Sequence, residues 1–352
     1  MQKEEVVMKA LYKPLEGKNN LLLKEVPERE PVKDEVKIKV AYVGICGTDL
    51  HIMSGDYGKG GIVLGHEFSG VIVALGEDVK ELQVGQRVTS ETTYKTCGVC
   101  PNCLEKDYNL CSNRTGIGTS TDGAMAEFVI SREESIHVLP GNTSLVGAAL
   151  SEPLSCGVHA VLEKSFVKKG DKVCIFGSGA IGLSVAQVAK QAGAFVIVAG
   201  LSSDVERFEI AEGFGVDKTL NQQTEDIELY IKELTDGVGV DVVFECSGAV
   251  PAVNKGFKVV RRKGQVVQMG VFPDSKQMLE TDLILHKEIE YIGSRSQKPS
   301  SWKISMELLE KGLVDNDCLV TKKVSLDNWK EGFDFVVAGK GTKTVIEVDG
   351  AL

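Results

Sequence analysis

Lys172-Val173-Cys174-Ile175-Phe176-Gly177-Ser178-Gly179-Ala180-Ile181-Gly182 is the stretch that decides the fold of this chain. A mostly apolar strand runs straight into Gly-x-Gly-x-x-Gly, and a small-residue helical stretch follows as far as Gly193. A glycine loop that leaves a strand and opens a helix is the context in which phosphates are cradled. Gly177 permits the tight turn, Gly179 lets the backbone approach a pyrophosphate, and Gly182 lets the helix pack on the strand. Ser178, Ala180 and Ile181 fill the rest of the loop. The helix start adds free N–H groups and the positive end of its dipole. The plain alternative is a glycine-rich turn with no ligand; the flanking pattern favours a dinucleotide loop.

Downstream of this loop, strands and helices alternate. Strands are expected at Asp171–Phe176, Phe195–Ala199, Asp241–Cys246, Gln265–Met269 and Ile289–Gly293, with helices over Gly179–Gly193 and Val205–Phe214. Such alternation builds a parallel, doubly wound sheet. Upstream the texture differs. Glu35–Val40 alternates at period two, Gly70–Gly76 is a strand bounded by glycines, and Gln86–Thr89 follows a Val84-Gly85 turn. The fold class is therefore α/β. A dinucleotide domain over residues 156–292 is inserted into a β-rich domain made of residues 1–155 and 293–352.

The end of the second strand of such a sheet normally carries an acid that binds the ribose 2′-hydroxyl of NAD. Here the chain reads Val198-Ala199-Gly200-Leu201-Ser202-Ser203-Asp204-Val205-Glu206-Arg207, with Gly200 in the acid's place. No charge there repels a 2′-phosphate, and Ser202, Ser203 and Arg207 offer donors to one. Asp204, slightly displaced, is the competing reader of the ribose. The loop is read as taking NADP, or both NAD and NADP. Cys246, Val271 and Phe272 follow strands of the same sheet and are read as cofactor-pocket residues.

Two cysteine-bearing patterns stand in the β-rich part. Cys97, Cys100, Cys103 and Cys111 place four thiols in fifteen residues. Four thiolates make a closed tetrahedral zinc site with no open position, which is structural rather than catalytic. Disulfides are the alternative, with three possible pairings, but the chain is read as cytoplasmic, where thiols stay reduced. The second pattern is dispersed: Cys46 in Gly44-Ile45-Cys46-Gly47-Thr48-Asp49-Leu50-His51, His66 and Glu67 in Leu64-Gly65-His66-Glu67-Phe68, and Glu152 in Ser151-Glu152-Pro153-Leu154. Singly, each has an ordinary account as a small core residue, a core histidine or a solvated acid.

Composition narrows the class of function. The 352 residues carry 40 Lys plus Arg against 50 Asp plus Glu, a formal charge of −10. A nucleic-acid binder would carry a basic face. No apolar run reaches the length of a membrane span, and Met1-Gln2-Lys3-Glu4-Glu5 has acids where a signal peptide has its basic region. A cytoplasmic chain with no nucleic-acid or membrane partner is expected.

Taken in order, Cys-Gly-Thr-Asp-x-x-His, Gly-His-Glu, the cysteine quartet, Glu-Pro-Leu, the glycine loop and Gly293-Ser294-Arg295 resemble the zinc-dependent medium-chain alcohol and polyol dehydrogenases over nearly the whole chain. The resemblance implies a GroES-like domain joined to a Rossmann domain. It implies a catalytic zinc on Cys46 and His66, with Glu67 or Glu152 completing the shell. Glu152 stands where simple alcohol dehydrogenases usually supply a second Cys, as in sorbitol dehydrogenases and their polyol-phosphate relatives and in threonine dehydrogenases. With the quartet that makes two zinc ions per chain. The harder Cys/His/Glu set also suits manganese or cobalt. A metal there would act as a Lewis acid on the substrate hydroxyl.

By the same resemblance Thr48 and His51 form a proton relay through the cofactor ribose to solvent, and Arg295 binds a substrate hydroxyl or phosphate. The implied reaction moves a hydride from a secondary hydroxyl of a polyol or polyol phosphate to NAD(P)+. A homodimer or homotetramer is expected through a Rossmann edge strand. Other readings are a sugar dehydrogenase, L-threonine 3-dehydrogenase, and a non-catalytic NADPH-binding protein. Against the threonine reading, Thr93 stands where that family usually has His after Glu-Thr, with an extra residue before Cys97. Against the non-catalytic one, every metal and relay position is filled.

Overall fold

The computed structural model describes residues 6–352 apart from Lys59, Pro273 and Ser275. The stretch Met1–Glu5 lies outside the described residues. The chain divides into two units: one holds the chain up to Glu152 together with Lys298–Gly312 and Asn316–Leu352, the other Pro153–Gln297 and Leu313–Asp315.

In the first unit, strand β1 (Glu35–Gly44) is buried on both faces along most of its length, because it stands mid-sheet. It leads through Ile45 and Cys46 into helix α1 (Gly47–Ser54). Strand β2 (Glu67–Leu75) pairs antiparallel with β1, placing Gly44 opposite Glu67. The sheet continues through β3 (Arg87–Ser90), while β4 (Phe128–Arg132) pairs with β1 and β5 (Ile136–Val138) with β3. Their inward residues, among them Ile38, Phe68, Ile72 and Val88, form one core. β2 begins at Glu67 rather than at Gly70, since pairing with β1 extends the strand past the point where its own alternation fades.

Helix α2 (Ser151–Val158) follows, with Glu152 in its first turn. The second unit then builds a six-stranded parallel sheet from β6 (Lys172–Phe176), β7 (Phe195–Gly200), β8 (Lys218–Asn221), β9 (Val240–Glu245), β10 (Val260–Gln268) and β11 (Glu290–Gly293). Their spatial order is β8-β7-β6-β9-β10-β11. That is the order of a dinucleotide fold, with the first strand beside both the second and the fourth. β6, β7 and β9 read as near-continuous apolar runs because helices cover both faces of a parallel sheet. Phe176, Ile197, Val243, Phe257 and Val266 fill one side. Cys174 belongs to this core, and burial pushes its thiol up. β10 starts at Val260, five residues before the expected strand, across an irregularity opposite Val240–Val242.

The last strands, β12 (Val320–Ser325) and β13 (Lys343–Glu347), belong to the first unit again. β13 pairs antiparallel with the end of β1, Val345 opposite Gly44. This return brings Lys343 to the end of β1 where Cys46 begins.

Candidate active site

The quartet occupies a lobe of the first unit. The sulfur of Cys103 lies 3.8 Å from that of Cys97 and 3.5 Å from that of Cys100, and Cys111 lies 3.7 Å from Cys97. Sulfurs about 2.3 Å from a tetrahedral zinc stand roughly 3.8 Å apart, whereas disulfide sulfurs sit at about 2.05 Å. All four thiols are free. Without a metal the four thiols share their protons unevenly: backbone N–H groups of Val99 and Cys100 pull the Cys97 thiol down to about 6, while Cys100, beside the other sulfurs, is pushed up to about 11.

The dispersed set also converges. Donor atoms of Cys46, His66 and Glu67 lie within 4.8 Å of one another, with His66 and Glu67 buried. β1 delivers Cys46 at its end and β2 delivers Glu67 at its start, so strand pairing brings the two together. Glu152 is buried as well, and its charge reaches both His66 and Lys343.

Two residues without a sequence-assigned role complete this site. Asp49 is fully buried on α1; its Oδ2 accepts the Cys46 N–H at 2.8 Å, and its Oδ1 lies 3.8 Å from His66 Nδ1. Lys343 is buried, with Nζ 2.7 Å from Glu67 Oε1, 2.6 Å from Oε2 and 3.1 Å from the Ile45 carbonyl. Burial opposes a charged His66, yet the Cys46, Asp49 and Glu152 charges hold its imidazolium well above the ordinary value. Asp49 Oδ1 and His66 Nδ1 are buried with no hydrogen-bond partner. A mixed sulfur, imidazole and carboxylate set in such negative surroundings fits a divalent cation.

Thr48 and His51 share a face of α1 at i,i+3 spacing. Thr48 is half-buried with Oγ1 3.7 Å from the Cys46 sulfur, and His51 is exposed in the last turn. Thr93 is buried, and its hydroxyl accepts from Arg114 Nε at 2.8 Å.

In the second unit, Gly177 has φ +103°, and a Cβ there would lie 3.0 Å from Ser247 N. A Cβ on Gly182 would fall 1.9 Å from the Gly177 carbonyl, so the helix packs against the turn only as glycine. Gly179, the N-cap of helix α3 (Ala180–Gln191), would project a Cβ into open space. The buried Ser178 hydroxyl has no partner in its surroundings. The tight turn at Gly177, the open backbone at Gly179 and the close helix packing at Gly182 are the geometry such a loop needs at a helix start, where anions are favoured.

At the end of β7, the space a Gly200 side chain would need is filled: its Cβ would meet Asp204 Oδ2 at 2.7 Å and the Phe208 ring at 2.9 Å. Asp204 accepts the Leu201 N–H at 2.8 Å and Arg207 Nη1 at 2.8 Å, so its carboxylate is engaged by its own loop. The Ser202 hydroxyl pairs with the Asn221 side chain, and Ser203 is exposed. Arg207 is half-buried and held by Asp204. Beyond the other strand ends, Cys246 is half-buried with its sulfur 3.8 Å from Met269 Sδ. Val271 is exposed, and Phe272 packs on the core. Arg295 is exposed just past β11.

Residues 32–141 match the family model for the alcohol dehydrogenase GroES-like domain, and residues 180–311 that for zinc-binding dehydrogenases. The chain belongs to the zinc-binding, medium-chain alcohol dehydrogenase family, and it is an NAD(P)-dependent oxidoreductase. Among its relatives, it is 47% identical over 97% of each chain to the D-arabitol-phosphate dehydrogenase of Enterococcus avium. It is 45% identical over 96% of its own length and 99% of the other to the sorbitol dehydrogenase of Halalkalibacterium halodurans. It superposes with a TM-score of 0.88, at 31% identity over 98% of this chain and 100% of the other, on a zinc-binding dehydrogenase of Sinorhizobium meliloti solved with NADP bound. The expected α/β class, with its GroES-like and Rossmann parts, zinc and NAD(P), is borne out by these matches.

Proposed function

We propose that this chain oxidises a secondary hydroxyl of a polyol or polyol phosphate to the ketose or ketose phosphate, with NAD(P)+ as hydride acceptor. The observation that carries this reading is the Cys46–His66–Glu67 donor cluster, with His66 and Glu67 buried and Cys46 half-buried, in a chain closely related to enzymes named for polyol and polyol-phosphate oxidation. Cys46, His66 and Glu67 would hold the catalytic metal, with Glu152 beside them and Lys343 balancing the extra carboxylate. A divalent metal held there supplies Lewis-acid polarisation of the substrate hydroxyl. Asp49 sets the rim of the site by holding the Cys46 backbone and facing the His66 ring. Thr48 would take up the substrate's hydroxyl proton while giving up its own, and His51, one turn on and exposed, would hand the proton on to water. Cys97, Cys100, Cys103 and Cys111 hold the structural zinc.

Gly177–Gly182 would carry the pyrophosphate. The absence of an acid at Gly200, together with Ser202, Ser203 and Arg207 nearby, supports use of NADP alongside NAD. Cys246, Val271 and Phe272 would border the nicotinamide side. Arg295 would read a substrate hydroxyl or phosphate. Threonine is the weaker substrate, because Thr93, tied to Arg114, replaces the His usual in that family. Assembly through β11 is supported by strongly exposed Met278 and Leu285 on the segment before this edge strand. Among the described residues no helix is long and apolar enough to cross a membrane.

The experiment is a steady-state assay of polyols, polyol phosphates and threonine with both cofactors. A polyol or its phosphate is expected to give the highest kcat/KM. Turnover of threonine above every polyol would overturn the reading.

A further inference from the structure

Glu245 is fully buried, although it is an acid at the end of a core strand. It stands in register with Phe176 on one side and Gln268 on the other, in the row where β6, β9 and β10 end. Its Oε1 accepts the Ser247 N–H at 2.8 Å, the Gly248 N–H at 3.0 Å and the Ser247 hydroxyl. Its Oε2 accepts Gln268 Nε2 at 3.0 Å and the Gly248 N–H at 3.2 Å. Its backbone carbonyl accepts the N–H groups of Met269 and Gly270 at 2.8 and 2.9 Å. Among the described residues no Lys or Arg pairs with this carboxylate; it is neutralised by donors alone. Burying a carboxylate is costly unless donors satisfy it, and hydrogen bonds to an ionised group are the stronger kind, so this one holds its donors firmly.

Those donors belong to two loops that touch. A Cβ on Gly270 would lie 2.1 Å from Gly248 N and 2.6 Å from Glu245 Oε2, and one on Gly248 would lie 2.4 Å from the Val271 carbonyl. The first loop also touches the glycine loop: the Cys246 N–H donates to the Phe176 carbonyl at 2.8 Å, and Gly177 packs against Ser247 N. The Gln268 amide, besides binding Glu245, donates to the Gly270 carbonyl at 2.5 Å and accepts from the Tyr291 hydroxyl at 3.1 Å. The charge is felt by its neighbours, since burial and then Glu245 push up the Cys246 thiol and the Tyr291 hydroxyl. In a sheet of this order, the β6-β7-β8 half takes one mononucleotide and the β9-β10-β11 half the other, in the crevice beyond the strand ends.

We propose that Glu245 is a positioning residue for the dinucleotide: its carboxylate locks loops 246–248 and 269–271 together and against the glycine loop, presetting the surface for the nicotinamide half. This rests on the reading of Gly177–Gly182 as the phosphate loop. The wild type and Glu245→Gln proteins are titrated calorimetrically with NADH, NADPH and ADP, with zinc content and circular dichroism as checks on folding. Gln keeps the shape but turns an NH2 toward N–H donors. Affinity for both dinucleotides is expected to fall roughly tenfold or more, the least that loss of a charged hydrogen bond costs, while ADP binding stays within about twofold of wild type.

Ser247→Ala keeps the charge and removes one donor, so it should show the same selective loss at smaller size. It decides the matter if Glu245→Gln does not fold. Unchanged dinucleotide affinity, or parallel loss of dinucleotide and ADP, would overturn the role of Glu245. A wild-type protein that binds neither ADP nor dinucleotide would instead overturn the glycine-loop reading.

Discussion

The quartet draws its four donors from the fifteen residues Cys97–Cys111, whereas the second set collects Cys46, His66, Glu67 and Glu152 from three separate segments. The quartet is a local loop with one kind of ligand, and nothing else is needed to close a metal shell. The second set mixes sulfur, imidazole and carboxylate, and it exists only after β1 and β2 have paired. It also needs partners of its own, a buried Asp49 facing the imidazole and a buried Lys343 on Glu67. A site that folds locally can be closed and inert. A site assembled by tertiary structure can keep one position free for substrate and place charge around it.

The strongest way to break this contrast is to remove a donor from the dispersed set. Cys46→Ser and His66→Ala should each lower kcat/KM by about a thousandfold or more, the rate equivalent of several kcal/mol of Lewis-acid stabilisation. Elemental analysis should find one zinc per chain retained, that of the quartet. Loss of both metals from either variant would mean that the two sites are not independent. The proposed relay comes next. Thr48→Val should cost about a hundredfold in kcat and His51→Gln roughly tenfold. Added imidazole should restore only the His51 variant, because it can replace an imidazole open to solvent and not the hydroxyl of the half-buried Thr48.

Lys343→Met sharpens the comparison through stability. Breaking a buried ion pair from one side costs about 3–5 kcal/mol, which should lower the unfolding midpoint of metal-stripped protein by roughly 10 °C. Added zinc should raise that midpoint further in the variant than in wild type, since the metal becomes the remaining cation beside Glu67 and Glu152. An equal zinc-induced rise in both proteins would show that Lys343 does not share charge with the metal site. The smallest effect on turnover belongs to Cys100→Ser. It should lose one zinc and roughly 5–10 °C of thermal stability, about 2–3 kcal/mol, yet keep kcat per folded molecule within about threefold. A collapse of kcat in the folded variant would make the quartet more than structural.

What could be read from the sequence follows the same division. The quartet and the glycine loop were legible as candidate sites because each pattern sits in one short segment whose spacing points to one kind of chemistry. Cys46, His66, Glu67 and Glu152 meant little singly and emerged only from the order of several motifs along the chain. Asp49 lay in plain view inside Cys-Gly-Thr-Asp, but nothing local says that its side chain turns back to Cys46 and His66. Lys343 gave no signal: it stands 276 residues from Glu67 and reads as an ordinary lysine at the start of a strand. Glu245 looked like the polar end of an apolar strand, and its burial depends on two loops from elsewhere. Gly200 was legible as the absence of an acid. Its other cause, the Phe208 ring filling the space, required the packed structure.

The measurement that bears most directly on the account is anomalous scattering at the zinc edge from crystals of fully metallated, active protein. The account predicts two peaks per chain, one within about 2.3 Å of the four quartet sulfurs and one bonded to Cys46 and His66 with a carboxylate oxygen of Glu67 or Glu152. A single peak at the quartet, with no metal in bonding range of Cys46 and His66, would contradict it.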